Sequence, residues 1–195
     1  MRLIIAPTCK PTGWAPAYFR GRSSWGNRSP EDVDSVCAHQ TAVRGGFGPP
    51  DLAGLIQRLG GTSRRRRGVP YHYFVSLEHD AVIALWHPRM YAHHGNGANS
   101  RSIGLAFDGR WPGDPYPSPE HLEQGLALAV SHASAEGFHW LKWLDAHRQY
   151  SGARGGDPGP RLWHALERTG TSLGLDVRPN HTRGSGKTIP SEWRP

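Results

Sequence analysis

Short apolar runs of β-strand character alternate with segments of helical period along this chain, and this alternation limits the folds it can adopt. The clearest runs, residues 71–77 (YHYFVSL) and 81–86 (AVIALW), are aromatic and β-branched and are separated by three polar residues. This pattern predicts a β-hairpin. Further strands are predicted at residues 2–5, 33–39, 102–107 and 138–144.

Helical segments follow several of these runs. In the longest, Leu122 and Leu126 lie on one apolar face, Ser118 is placed to cap the helix and Pro119 to occupy its first position. The spacing predicts a helix over residues 119–136. Shorter helices are predicted over residues 51–59 and 162–173. Strands that alternate with helices and include a hairpin predict a single α/β domain with a central mixed β-sheet flanked by helices.

The two ends of the chain differ in composition from its middle. Residues 1–32 combine a short strand with a basic arm rich in Arg, Trp, Pro and Gly. Residues 176–195 contain few apolar groups and show no period. We therefore expect an N-terminal strand and arm over 1–32, the main domain over 33–175 and a flexible basic tail over 176–195.

Charge and composition exclude several classes of protein. The chain has 195 residues and a formal net charge of +7, which favours a polyanionic partner without identifying it. No window approaches the roughly 18 consecutive apolar residues of a membrane span. Cys9 and Cys37 are too few for a disulfide framework and are expected to be free thiols. The first residues lack the apolar stretch of a signal peptide, so synthesis in the cytoplasm is expected.

Histidines occur where predicted strands end in loops, at His39, at the pair His93 and His94, and at His147. Asp157 follows ten residues after His147 and directly precedes a proline. A carboxylate in that place can cap a helix. Alternatively, His39, His147 and Asp157 can form a catalytic zinc site, which needs three protein ligands and one open position. Spacing alone leaves both interpretations open.

Four segments in order resemble a known family. They are residues 36–41 (VCAHQT), 69–75 (VPYHYFV), 93–96 (HHGN) leading to 102–104 (SIG), and 146–148 (AHR) leading to 157–160 (DPGP). The set resembles the zinc-dependent N-acetylmuramoyl-L-alanine amidases, a family that includes phage lysins and peptidoglycan recognition proteins. The resemblance covers about residues 33 to 170, so it identifies residues 33–175 as an amidase domain.

The resemblance implies roles for particular residues. It implies that His39, His147 and Asp157 bind Zn²⁺ and that Tyr71 donates a hydrogen bond to the developing oxyanion. Some relatives place a catalytic glutamate in the strand after the S-I-G glycine, where this chain has Ala106. The chain therefore resembles the branch that uses tyrosine.

The same resemblance points to a substrate groove and to one departure. His93, His94 and Asn99 would bind substrate, with either histidine able to contact the muropeptide. Many members carry a lysine two residues before the third zinc ligand, where this chain has Gly155. Arg154 or Arg148 is therefore expected to supply the positive charge, although a guanidinium differs from an ammonium group in geometry.

The implied activity is hydrolysis of the amide between the N-acetylmuramic acid lactyl group and L-alanine, as in a phage endolysin that reaches the wall after holin-mediated release. The implied partner is bacterial peptidoglycan, with anionic envelope polymers or outer-membrane lipids attracted by the basic charge, and a monomer is expected. One alternative is a non-catalytic peptidoglycan-binding module. A nucleic-acid-binding protein is another, because residues 64–67 are four arginines. No nucleic-acid-binding motif is present, so no obligate nucleic-acid partner is expected.

Overall fold

The computed structural model describes residues 1–9, 27–44, 46, 51–60, 69–111 and 117–194. Seven strands form one sheet: β1 Arg2–Ile5, β2 Ser35–Gln40, β3 Tyr73–Ser76, β4 Ala81–Ala84, β5 Ser102–Phe107, β6 Trp143–Ala146 and β7 Asp176–Val177. Three α-helices flank it: α1 Leu52–Gly60, α2 Pro119–Ala135 and α3 Pro160–Ser172. The predicted single α/β domain with a mixed sheet is confirmed.

The sheet has the order β1-β4-β3-β5-β2-β6-β7. The predicted hairpin is the antiparallel pair β3–β4, and the other neighbouring strands pair in parallel. Because β5, β2 and β6 are parallel neighbours, their carboxyl ends meet at one edge of the sheet. In this register His39 lies beside Ala106, and Ala38 lies beside Ala146.

Local sequence signals account for helix α2. The Ser118 hydroxyl accepts a hydrogen bond from the His121 backbone N–H at 3.3 Å, and Pro119 occupies the first turn. These features set the start of the helix where the sequence predicts it. Its buried face includes Leu122 and Leu126, which are 3% and 0% exposed.

Alternating residues of β3 point to opposite faces of the sheet and enter different apolar clusters. Tyr73 and Val75 pack in the larger cluster with residues of α2 and α3, whereas Phe74 packs in a smaller one with residues of α1. The sheet is thus covered by helices on both faces, which makes it a rigid support for the loops at its edge.

The C-terminal segment differs from the predicted flexible tail. Residues 176–177 form β7 and pair with β6. Trp193 is 7% exposed and belongs to the larger apolar cluster, where the Arg148 guanidinium lies 4.4 Å from the centroid of its ring. A few well-placed apolar side chains anchor this segment although it shows no period. Residues 176–194, where the sequence predicts a flexible basic tail, are thus held against the domain at β7 and at Trp193.

Two further expectations meet the structure differently. The strand predicted at 138–144 begins only at Trp143, while Phe138 is fully buried in the larger apolar cluster. Residues 10–26, most of the predicted basic arm, and the arginine run 64–67 lie outside the described residues.

Cys9 and Cys37 are free cysteines. Among the described helices, none has the length and apolar character that crossing a membrane requires.

Candidate functional site

The carboxyl ends of β2 and β6 bring two of the predicted zinc ligands together. His39 is the second-last residue of β2, and His147 directly follows β6. Both side chains are buried, and their ring centroids are 4.5 Å apart. Residues separated by more than a hundred positions therefore meet because parallel strands end at the same edge.

Asp157 completes a cluster with these histidines. Its Oδ2 lies 2.9 Å from His147 Nδ1 and 3.8 Å from His39 Nδ1, and its Oδ1 accepts the Gln40 backbone N–H at 2.7 Å. The three candidate ligand atoms all lie within 4.8 Å of one another. A hydrogen bond from the Arg148 N–H to the Asp157 carbonyl oxygen, 3.1 Å long, closes the loop that positions the carboxylate.

The alternative role of Asp157 as a helix cap is not what the structure shows. The residue at the N-cap of α3 is Gly159, and no side-chain capping bond is formed there. The Asp157 carboxylate is instead directed at the two histidines.

The charge states of the cluster suit a metal site. Burial is the main cause that lowers the pKa of His39 to about 4, so its imidazole is neutral at pH 7. Burial raises the pKa of Asp157, but its hydrogen bond to His147 and its proximity to His39 outweigh this and lower the pKa to about 2. A neutral imidazole and an ionised carboxylate are the forms in which these residues bind a metal.

A chain of hydrogen bonds fixes the tautomer of His39. Its Nε2 lies 3.1 Å from His94 Nδ1, and His94 Nε2 lies 3.1 Å from the carbonyl oxygen of Ser102. The carbonyl can only accept, so His94 carries its proton on Nε2 and accepts at Nδ1. His39 must then donate from Nε2, and its neutral form leaves Nδ1 unprotonated.

The surroundings of this unprotonated His39 Nδ1 show whether the residues fit a metal. It is buried, has no hydrogen-bond partner among the described residues, and faces His147 and Asp157. The donor set of two imidazoles and one carboxylate is that of catalytic zinc sites. The residues therefore fit zinc.

Gly104 of β5 makes room for the His94 ring. A β-carbon at Gly104 would lie 2.5 Å from His94 Cγ, closer than atoms in van der Waals contact. The Gly104 N–H also donates a hydrogen bond of 2.9 Å to Nδ1 of His72, a neighbouring buried histidine. The histidines behind the cluster are thus packed into fixed positions.

A second group of possible ligand atoms, from Cys37, His39 and His94, lies behind the first. Burial raises the pKa of the Cys37 thiol well above its usual range, which disfavours the thiolate that a metal requires. The facing nitrogens of His39 and His94 are hydrogen-bonded to each other. These facts favour the group that contains Asp157.

The cluster opens into a polar cleft of about 370 Å³. Its lining residues are Gln40, Thr41, Pro70, Tyr71, His93, His94, Gly95, Asn96, His147, Ser151, Arg154 and Asp157. The Tyr71 ring centroid lies 5.0 Å from that of His39. Arg154 is exposed and also lines the cleft. The structure therefore brings Tyr71 and Arg154 to the same cleft as the three candidate ligands.

The two adjacent histidines predicted to bind substrate have different surroundings. His93 is half-buried, lines the cleft and has its ring centroid 5.7 Å from that of Tyr91. His94 also reaches the cleft but is 3% exposed and holds His39 through its ring nitrogen. His93 is thus the more accessible of the two for a ligand.

Asn99 lies outside the lining of the cleft formed by the described residues. Its side-chain oxygen accepts the Gly95 N–H at 2.6 Å, and its carbonyl oxygen accepts a hydrogen bond of 3.0 Å from the buried Arg28 guanidinium. Both bonds hold the loop that carries His93 and His94. In the structure Asn99 thus fixes this loop, and its contact with substrate stays a prediction.

The sequence analysis missed Gln40. Its backbone N–H binds the Asp157 carboxylate, and its side chain donates to the Gly156 carbonyl oxygen at 3.1 Å and accepts the Trp111 N–H at 2.7 Å. Gln40 thereby ties β2 to the loops on both sides of the cleft. Its position directly after His39 is the signal that could have identified it.

Comparison with known proteins identifies related folds at low sequence identity. The endolysin of Thermus scotoductus bacteriophage Ph2119 has 17% identity and a TM-score of 0.56, covering 87% of this chain and 99% of its own. The N-acetylmuramoyl-L-alanine amidase LysC from Clostridium intestinale has 15% identity and a TM-score of 0.54, with coverage of 89% and 98%.

Drosophila peptidoglycan recognition protein LB has 14% identity and a TM-score of 0.59, covering 98% of this chain and 99% of its own. No family model and no curated protein matches the chain. The resemblance seen in the sequence is thus supported by the fold. The chain has the fold shared by endolysin N-acetylmuramoyl-L-alanine amidases and peptidoglycan recognition proteins.

Proposed function

We propose that this protein is a zinc-dependent peptidoglycan amidase that hydrolyses the amide between the N-acetylmuramic acid lactyl group and L-alanine. The observation that carries the proposal is the cluster of His39, His147 and Asp157 at the base of an open cleft, with the unprotonated His39 Nδ1 facing the other two ligands. Structural neighbours described as endolysins and as N-acetylmuramoyl-L-alanine amidases support the choice of substrate.

The residues of the chain have distinct parts in this proposed reaction. Zinc, when bound, supplies Lewis-acid chemistry that activates water and polarises the amide carbonyl. His39 and His147 hold the ligand geometry, with His94 fixing the orientation of His39. Tyr71 donates its phenolic hydrogen to the carbonyl oxygen as negative charge develops there.

Arg154 places a positive charge at the same cleft, where it favours the developing negative charge. His93 supplies an accessible ring on the wall and so has a part in binding the muropeptide. The polar lining suits a sugar–peptide junction, which carries hydroxyl and amide groups.

The proposed biological role is that of a phage endolysin, released through a holin and acting on the wall. A net charge of +7 favours adsorption to anionic envelope polymers or lipids. The structural likeness to two endolysins agrees with this role.

Muropeptide analysis tests the activity directly. Purified sacculi digested with the protein should release stem peptides with a new N-terminal L-alanine, identified by mass spectrometry. Asp157→Ala should abolish both this release and stoichiometric zinc binding, because it removes one of three ligands. Asp176→Ala, which removes an exposed carboxylate from β7, should leave both unchanged. Unchanged release by Asp157→Ala would overturn the metal assignment.

A non-catalytic peptidoglycan-binding protein is the second candidate, and the glycine at position 155 is the observation that favours it. Many relatives have a lysine there, and its absence removes one positive charge from the site. The complex of tracheal cytotoxin with the ectodomains of peptidoglycan recognition proteins LCa and LCx illustrates binding by this fold. Zinc near one per chain with no released L-alanine would select the binding function.

A further inference from the structure

Residues 181–187 (HTRGSGK), here called the rim segment, lie against the loop that joins His147 to Asp157. The Arg183 N–H donates to the Gln149 carbonyl oxygen at 2.9 Å, and the Lys187 N–H donates to the Arg148 carbonyl oxygen at 2.8 Å. The segment belongs to the region that the sequence predicted as a flexible tail. Its backbone is instead bonded beside the candidate metal ligands.

Two glycines allow this close approach. A β-carbon at Gly152 would lie 2.5 Å from the Ser185 carbonyl oxygen, and one at Gly186 would lie 1.9 Å from the Gln149 carbonyl oxygen. Any side chain at these positions would collide with backbone. The rim segment therefore has a position fixed by backbone packing as well as by hydrogen bonds.

The rim segment places two cations next to glycines that adjoin lining residues of the cleft. Arg183 Cβ and Cδ lie 3.6 Å from the point where a Gly97 β-carbon would stand, and Gly97 adjoins the lining residue Asn96. Lys187 Nζ lies 3.6 Å from the corresponding point of Gly155. Gly155 in turn adjoins Arg154, which lines the cleft.

Neither cation is neutralised by the described part of the chain. Arg183 and Lys187 are exposed, and no carboxylate of the described residues lies within the 4 Å of an ion pair. Asp157 is the one acidic residue in the described lining, and it is bonded to His147 and Gln40. The rim segment therefore adds positive charge beside the cleft that no described carboxylate neutralises.

We infer that the rim segment binds a carboxylate of the stem peptide and makes the protein selective for acidic over amidated stems. This inference rests on the proposed function, because it assumes that a peptidoglycan stem enters the cleft. A carboxylate of a short peptide suits a cleft of this size, whereas a wall phosphate polymer needs a long charged track. The cations lie beside the cleft, so they can select the ligand without contacting the reacting amide.

The rim segment also supplies a positive charge next to position 155. Lys187 brings an ammonium group from a distant part of the sequence to within 3.6 Å of the point where a Gly155 β-carbon would stand. A cation therefore lies beside this position although the residue itself is a glycine.

Equilibrium binding to two synthetic stem peptides tests the inference. The peptides share one sequence, and one carries a free carboxylate where the other carries its carboxamide. They lack muramic acid, so no hydrolysis accompanies binding. Wild-type protein should bind the acidic peptide about tenfold more tightly, and Arg183→Gln and Lys187→Gln should each weaken that binding by about two- to fivefold. Binding of the amidated peptide should change little.

Lys142→Gln is the matched control, because Lys142 is an exposed lysine that directly precedes β6 at the edge of the sheet opposite His147. It should leave binding of both peptides unchanged. Equal affinity of wild-type protein for the two peptides would overturn the inference and leave the amidase proposal standing. If Lys142→Gln weakened binding of the acidic peptide as much as Lys187→Gln, the loss would reflect net charge in general and not a specific contact of the rim segment.

Binding to neither peptide by wild-type protein would overturn the inference as well. Release of L-alanine from sacculi, measured separately, then decides whether the proposed function fails with it. If the rim substitutions weakened retention on phosphate-polymer-containing walls and left peptide binding unchanged, the rim would bind wall polymers and the inference would be wrong.

Discussion

The base of the cleft and its rim are built on different physical principles. At the base, His39 and His94 are buried and bonded to each other, and the chain of bonds ends on a backbone carbonyl of β5. At the rim, Arg183 and Lys187 are exposed on a segment that backbone hydrogen bonds hold in place.

This difference assigns metal binding and turnover to the base and the choice of ligand to the rim. A ligand cluster needs side chains held within a fraction of an ångström, and burial with hydrogen bonds provides this. Exposed cations act through solvent at moderate strength and can adapt to different ligands. Substitutions at the base should therefore change metal binding and turnover, while substitutions at the rim should change only which ligand is bound.

Among substitutions that keep all three candidate ligands, Tyr71→Phe should give the largest effect on turnover. Loss of a hydrogen-bond donor to a developing oxyanion costs about 10²- to 10³-fold in kcat. Zinc content and peptide affinity should stay the same, because the ring is retained beside His39. Release of L-alanine from sacculi, with zinc measured per chain, provides the test. A loss of zinc together with turnover would show that Tyr71 supports the ligand cluster instead of the reaction.

His94→Phe should have the next largest effect, on metal affinity. Phenylalanine keeps a ring but cannot accept the proton of His39 Nε2, and loss of such a partner weakens metal binding by about 10- to 100-fold. Competition with a chelator measures the affinity. Nitrogen NMR of labelled histidine in the metal-free protein should show His39 protonated on Nε2 in the wild type.

The NMR result is independent of catalysis. Gly104→Ala offers a second variant, because its β-carbon would displace the His94 ring while leaving both histidines in the chain. Its zinc affinity should fall in the same direction. Unchanged affinity in both variants would mean that His94 does not orient His39.

More of the base of the cleft than of the rim segment can be predicted from the sequence. Strands and helices could be predicted because their apolar residues recur with fixed periods, and the ligand trio because four motifs occur in order. The bond between His39 and His94 could not be predicted, because adjacent histidines in a loop do not reveal which of them turns inward. The glycine of β5 that makes room for the ring has no meaning until the strands are paired.

The rim segment could not be predicted for a different reason. Its residues are polar or glycine, so they carry no period, and the position of the segment depends on contacts with Arg148, Gln149 and Gly152, which lie 33 to 39 positions earlier. Trp193 anchors the chain beyond it but stands alone in sequence. Absence of a local pattern therefore does not imply absence of structure.

Acid should destabilise the folded protein through a buried histidine, His72, that lies behind the base of the cleft. This effect should be smaller than those of the substitutions above. Burial first, and the charge of Arg28 second, lower the pKa of His72 well below its usual value. His72 Nε2 lies 3.0 Å from an Arg28 nitrogen and 2.8 Å from the Met90 carbonyl oxygen, and its ring centroid lies 5.7 Å from that of His94. The folded protein therefore keeps His72 neutral where the unfolded chain protonates it.

The unfolded state then binds more protons below the ordinary histidine pKa near 6.5, so stability falls as the pH decreases through that value. This histidine contributes a slope of about 1.4 kcal/mol per pH unit in the free energy of unfolding. Denaturant unfolding of the metal-free protein between pH 7 and pH 5 measures the slope. His72→Gln should reduce it by that amount, whereas His139→Gln, at an exposed position, should not. An unchanged slope in His72→Gln would show that the histidines behind the base do not differ from the exposed groups in their response to acid.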